Sequence, residues 1–289
     1  LFVKRNLRQP LTQLLRGIRQ HDRPHVEIGP TGVHRPADIG DGRVLRRFLA
    51  GGDSEREALV MEHARSSGYP VPRVLEVTGE ALVLDRVDGP TMLAELRRRP
   101  WTMRRHAAVL AELHERLHEI EAPPGLEAAG AGDRLLHLDL HPANVMLTTA
   151  GPFVIDWTNA ARGDPAADVA RTILLAGGGK LREGTALIVR ALAPVARRTL
   201  LARYRRAYAR EAPLDCDLVE RWLPVWAAAR LSEDIEPERD FLLARAHLAP
   251  DEQVHFAPGG RQQQRVLERR VAAFHHRHRP ARQPRLVPR

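Results

Sequence analysis

A chain of 289 residues with 43% hydrophobic content can bury one large core or two smaller ones, and an aromatic content of 4% means that Leu, Val and Ala must build most of it. A single cysteine, Cys216, excludes an intramolecular disulfide; it is read as a packed side chain, and a cytoplasmic location fits. The formal charge of +9 does not describe a nucleic-acid-binding body, because residues 261–289 hold nine arginines and one acid, Glu268, which accounts for all but one of the net positive charges.

In chain order, Leu7 to Ile18 forms a short amphipathic stretch and Gly29-Pro30-Thr31-Gly32 a turn. Asp41-Gly42 between extended segments is a hairpin signal, since both residues tolerate positive φ, and it predicts strands over 33–39 and Arg43–Leu49. A helix is predicted from Ser54 to Ser66, capped by Asp53 or Ser54 and ended by Gly68. Strands follow at Arg73–Val77 and Ala81–Asp85, the second ending at Val87-Asp88-Gly89-Pro90. The first hundred residues thus read as a small sheet with one helix.

The remainder is mainly helical. Met103, Ala107, Leu110, Leu113, Leu117 and Ile120 recur with helical period over 102–120. After a Pro/Gly/Ala-rich loop from Glu121 to Asp133, helical patterns cover 165–176, 184–210, 216–231 and 237–247. Gly177-Gly178-Gly179-Lys180 is read as a loop rather than a phosphate loop, because Leu181 stands where Ser or Thr would be needed. No segment has the apolar length to span a bilayer, and the first residues lack a signal-peptide core. The basic tail, 255–289, is expected to be disordered or partly helical, offering nucleic acid or acidic lipid only a weak electrostatic contact.

The densest chemistry lies at His137-Leu138-Asp139-Leu140-His141-Pro142-Ala143-Asn144, followed by Phe153-Val154-Ile155-Asp156-Trp157. His137 and Asp139, two apart, point the same way on an extended backbone. Pro142 turns the chain, Val145–Leu147 forms a short strand, and Phe153–Ile155 returns antiparallel, bringing Asp156 near Asn144. One carboxylate, Asp139, can receive a hydroxyl proton, while Asn144 and Asp156 supply oxygen ligands for magnesium on nucleotide phosphates. A rival reading places His137, Asp139, His141 and Asp156 in a metallohydrolase site, but it leaves the spacing from Asn144 to Asp156 without a purpose.

These residues resemble the catalytic loop, His-x-Asp-x-x-x-x-Asn, and the metal strand, Ile-Asp-Trp/Phe, of the aminoglycoside phosphotransferase / choline kinase-like family, relatives of protein kinases. The resemblance continues through Gly163-Asp164-Pro165-Ala166-Ala167-Asp168-Val169-Ala170 and spans about 26–247 by order of elements. It implies an α+β, two-lobed protein-kinase-like fold with a small antiparallel-sheet N-lobe and a mainly helical C-lobe. The lobes are expected at 1–88 and 89–254, with the tail at 255–289. It implies an ATP- and Mg-dependent kinase acting on a hydroxyl of a small molecule. His137 is expected to shape the loop by hydrogen bonding, and Asp168 to act as a cap or loop anchor.

On the nucleotide side the chain departs from the family. A strand lysine usually grips the α- and β-phosphates and pairs with a helix glutamate, yet the two lysines here are Lys4 and Lys180. Arg46 is the candidate replacement, with Arg47 as the alternative on the opposite face, and Glu57 is its candidate partner. Leu84 to Val87 is expected to connect the lobes and to meet adenine through its backbone. The acidic run Ser232 to Asp240 is a candidate surface for a cationic acceptor such as an amino sugar or choline. The missing lysine keeps a second function in view, a catalytically impaired nucleotide-binding relative with a regulatory role. Oligomeric state is not legible.

Overall fold

The computed structural model describes residues 37–48, 53–79, 81–178, 187–231 and 239–246. The amphipathic stretch 7–18, the turn at 29–32, the acidic run over 232–238 and the basic tail lie outside them. The fold class is α+β, as expected, in two units: residues 1–95 with 143–160, and residues 96–142 with 161–289. Residues 143–160, expected with the helical part, therefore group with the sheet.

The first unit holds a four-stranded antiparallel sheet of order β1-β2-β4-β3, made of β1 (Ala37–Gly40), β2 (Arg43–Arg47), β3 (Val74–Thr78) and β4 (Ala81–Asp85). The β1–β2 turn places Gly40, Asp41 and Gly42 at φ 82°, 51° and 68°, the backbone that the Asp-Gly signal anticipates. Strand β4 is an unbroken apolar run because it is central: Ala81, Leu82, Val83 and Leu84 are all buried. Leu45, Ala81 and Val83 form a core cluster on the sheet, with Ile39 and Leu75 packed against it.

Helix α1 (Ser54–Ser66) begins where Asp53 Oδ1 accepts the amide of Arg56 at 2.9 Å. It ends before Gly68 at φ 76°. Its buried face, Ser54, Glu57, Ala58, Val60, Met61 and Ala64, follows the helical period, and one glutamate sits on it.

Hairpin β7 (Val145–Thr148)–β8 (Gly151–Val154) pairs Val145 with Val154 and Met146 with Phe153. Three backbone contacts dock it in the first unit: the Val154 amide on the Pro70 carbonyl at 2.8 Å, the Leu147 amide on the Pro90 carbonyl at 2.9 Å, and a bridge from Thr91 to Met146. Gly89, at φ 152°, makes this approach possible, since a Cβ there would lie 2.0 Å from the Leu147 carbonyl oxygen. Gly89→Ala is expected to cost about 3 kcal/mol of stability, read from urea denaturation.

A short helix absent from the sequence reading, α2 (Met92–Arg98), starts where the Thr91 hydroxyl accepts the Ala94 amide at 3.1 Å.

The second unit is mainly helical: α3 (Met103–His118), α4 (Pro165–Gly178), α5 (Leu187–Glu211), α6 (Cys216–Leu231) and α7 (Arg239–Ala246). α3 packs on α5, α4 on α6, and α6 on α7. The buried face of α3 includes the expected Ala107, Leu110, Leu113 and Leu117, and also His106, His114 and His118. α4 is buried continuously from Ala166 to Leu174 and runs through Gly178, so Gly177 and Gly178 are helical rather than loop. Cys216 is exposed at the start of α6 rather than packed. A small sheet unanticipated by the sequence joins β5 (Ala128–Ala129) parallel to β9 (Ala161–Gly163), with β6 (Arg134–Leu136) antiparallel on its other side. Among the described residues no helix is long and apolar enough to cross a membrane.

Candidate active site

In the first unit, Arg46 on β2 is buried beside the buried Leu45, and Arg47 is half-buried. The Arg46 guanidinium donates to Glu57 Oε1 at 2.8 Å, to Asp156 Oδ1 at 2.6 Å and to Thr158 Oγ1 at 2.8 Å. Glu57, 2% exposed, also accepts the Trp157 amide at 3.0 Å. Burial pushes the Glu57 carboxyl above its ordinary value, opposed by the Arg46 charge and reinforced by Asp156. Arg56, the residue before Glu57 on α1, donates to the carbonyls of Thr158 at 3.2 Å and of Ala160. Helix α1 thereby fixes the segment after β8 by both a carboxylate and a guanidinium.

Asp156 itself sits at φ 67°, turning the chain out of β8. Trp157 is buried, with its indole N–H on the Val154 carbonyl at 3.1 Å and Tyr69 edge-on at 5.7 Å. The Asn144 carbonyl accepts the Ile155 amide at 3.0 Å, which puts Asn144 alongside the residue before Asp156. A carboxylate and a carboxamide are hard oxygen donors, and that chemistry fits magnesium.

Leu84 lies within β4, paired across both neighbours to Val44 and Val74, so the segment leaving the sheet begins after Asp85. The half-buried Val87 belongs to that segment. Arg86 ties it back, its amide on the Gly42 carbonyl at 2.7 Å and its side chain on Asp38 at 2.7 Å and Asp88 at 2.9 Å.

In the second unit, helix α4 holds the backbone that follows β6. Asp168 accepts the amides of His137 at 2.7 Å and Leu138 at 2.9 Å. Arg171 Nε donates to the Leu138 carbonyl at 2.6 Å, and the Thr172 hydroxyl to the Leu140 carbonyl at 2.7 Å. These three residues, spaced i, i+3 and i+4, form one polar strip on a buried helix. Asp168 is thus a loop anchor; the residue capping α4 is Asp164, whose Oδ1 accepts the Ala166 amide at 2.8 Å.

His137 and Asp139 do not share a face. Leu138 adopts φ 56°, which breaks the extended alternation, so His137 is fully buried while Asp139 remains partly open. His137 Nδ1 accepts the Asp139 amide at 3.1 Å and shapes the turn that presents Asp139. His141 Nε2 lies 3.7 Å from Asp139 Oδ1. The metal-capable grouping of His and carboxylate atoms among the described residues is His114, His118 and Asp168, which contains no member of the rival metallohydrolase set.

The structure therefore brings Arg46, Glu57 and Asp156 into direct contact, and separately joins Asp168 to the loop of His137 and Asp139. Asp139 belongs to the second unit, whereas Asn144 and Asp156 belong to the first. Missed by sequence reasoning were Thr158, Arg56, Arg171, Thr172, His114 and His118.

Asp139 thus lies on an anchored loop of the second unit, and Asn144 and Asp156 flank the β7–β8 hairpin of the first. Residues 126–214 match the family model APH, described as the phosphotransferase enzyme family, and this segment contains the loop, Asp139, Asn144, Asp156 and Asp168. The resemblance read from the motifs is borne out there. No curated protein matches the chain. Among solved structures, the choline/ethanolamine kinase family protein from Mesorhizobium loti is similar at 15% identity and TM-score 0.46, over 92% of this chain and 90% of that one. An aminoglycoside-3'-phosphotransferase of type VIII is similar at 18% identity and TM-score 0.49, over 73% of this chain and 96% of that one. Plasmodium vivax ethanolamine kinase gives 10% identity and TM-score 0.44, over 91% and 85% respectively. Likenesses at this level assign no substrate.

Proposed function

We propose that this chain is an ATP- and magnesium-dependent kinase that moves the γ-phosphate to a hydroxyl of a small molecule in the cytoplasm. The observation that carries the reading is the anchored loop: His137 and Asp168 hold the backbone on both sides of Leu138, so that Asp139 is presented within the matched segment. In this reading Asp139 orients the acceptor hydroxyl and receives its proton. Asn144 and Asp156 would hold magnesium, which supplies charge neutralisation for the phosphates. Arg46 is the phosphate cation, steadied by Glu57 as a lysine would be, but in a planar fork. The backbone from Leu84 to Val87 meets the adenine. Residues 1–88 act as the nucleotide-binding lobe and 89–254 carry the acceptor site.

One observation favours a second reading, an impaired nucleotide-binding relative: Arg46 already engages the Asp156 carboxylate at 2.6 Å, so nucleotide and metal must compete with an internal ion pair. An ADP-formation screen across amino sugars, choline, thiamine and simple sugars separates the two. Turnover with at least one acceptor, falling to background when magnesium is chelated, is the expected result. Nucleotide binding without turnover on any acceptor would favour the impaired relative, and absence of binding would reject both.

A further inference from the structure

Asp168 is a fully buried anion, and the loop amides account for only part of what surrounds it. His118 Nε2 lies 3.3 Å from its Oδ2, and His114 Nε2 lies 3.5 Å from its Oδ1. Each imidazole meets a tyrosine through its other nitrogen: His114 Nδ1 to Tyr204 Oη at 2.6 Å, and His118 Nδ1 to Tyr208 Oη at 2.8 Å. The histidines are four residues apart on α3 and the tyrosines four apart on α5, so two parallel arms run between the packed helices. The imidazole rings stack at 5.1 Å with 19° between their planes.

The proton positions follow from the partners. An Nε2 without its hydrogen would aim a lone pair at a carboxylate, so Asp168 requires Nε2–H on both rings. Nδ1 is then the bare nitrogen, and the phenol O–H is its donor. Burial pushes the Tyr208 phenol up and the His118 imidazole down, which keeps the phenol protonated and the ring neutral.

We propose that Tyr204 and Tyr208, acting through His114 and His118, are positioning residues for Asp139: the phenols set the imidazole tautomers, the imidazoles hold the Asp168 carboxylate, and that carboxylate holds the loop. The effect on turnover rests on the kinase reading above; the tautomers and the loop geometry do not. A loop displaced by a fraction of an ångström keeps its fold and loses its alignment with the acceptor.

The test uses the full chain labelled with 15N, in wild-type form and as Tyr208→Phe, Tyr204→Phe and the double variant. Wild-type protein at neutral pH should show Nε2–H tautomers on two solvent-protected histidines. Tyr208→Phe should shift the His118 ring signals together with the His137 and Leu138 amides. It should lower kcat about tenfold with KM little changed, and the double variant about 100-fold. Should no acceptor be turned over, the ring and amide shifts still decide the matter. An Nδ1–H tautomer on either ring, amide signals that stay put in the double variant, or a stoichiometric zinc ion retained by the purified wild-type chain at this cluster would each overturn the proposal.

Discussion

Asp139→Ala should lower phosphoryl transfer by at least about 10²–10⁴-fold, the range over which a positioned proton acceptor contributes. The fold should survive, because the loop is held by its backbone and not by this side chain. The amides of His137 and Leu138 go to Asp168, and the carbonyls of Leu138 and Leu140 go to Arg171 and Thr172. Circular dichroism and thermal melting should therefore match wild type while ADP formation falls. A correctly folded Asp139→Ala enzyme with undiminished turnover would remove Asp139 from the chemistry.

Asp168→Ala should do the opposite first: it should destabilise the second unit by about 3–5 kcal/mol, as expected when one side of a buried charged network is deleted. Two amides and the His118 imidazole would lose their acceptor in a buried interior, and the His114 imidazole the carboxylate 3.5 Å from it. The same network gives stability a pH dependence whose sign is fixed. Burial pushes the folded His118 imidazole below its ordinary value, with Asp168 and Asp164 opposing and His114 assisting. As pH falls below about 6.5 the unfolded chain takes up that proton first, so it binds more protons than the native state and stability declines. Burial alone would raise the Asp168 carboxyl, but His114 and His118 more than reverse this and hold it well below the usual carboxylate range. Its contribution is lost only at still lower pH, as the folded value is crossed. Urea midpoints measured between pH 5 and 8 should rise with pH in wild type and flatten when His118 is replaced by Gln.

The elements legible in the sequence were those whose signals are local. Asp41-Gly42 signalled a hairpin, Asp53 and Gly68 bracketed α1, and Ala81–Asp85 was legible as a strand, though not as a central one. What escaped depended on partners distant in the chain. Strands β5, β6 and β9 are two or three residues long and exist only as neighbours of one another. Helix α2 buries only Met92, so it leaves no apolar stripe to detect.

At the site, residue types were legible but orientation was not. Alternation places His137 and Asp139 on one face, and a single left-handed residue, Leu138, separates them. His114 and His118 lie on the apolar stripe of α3 at i and i+4, and Asp168, Arg171 and Thr172 interrupt an otherwise apolar α4. Polar residues at helical spacing on a buried face were the available sign of a network.

Arg46 carries one more consequence. In the function proposed above its guanidinium takes the place of a strand amine, and the chain's two lysines, Lys4 and Lys180, both lie outside strand β2. Reagents that locate nucleotide pockets by acylating a nearby amine find no nucleophile on this strand. If the proposed function holds, labels aimed at guanidines or carboxylates, rather than at amines, are the ones expected to register this strand.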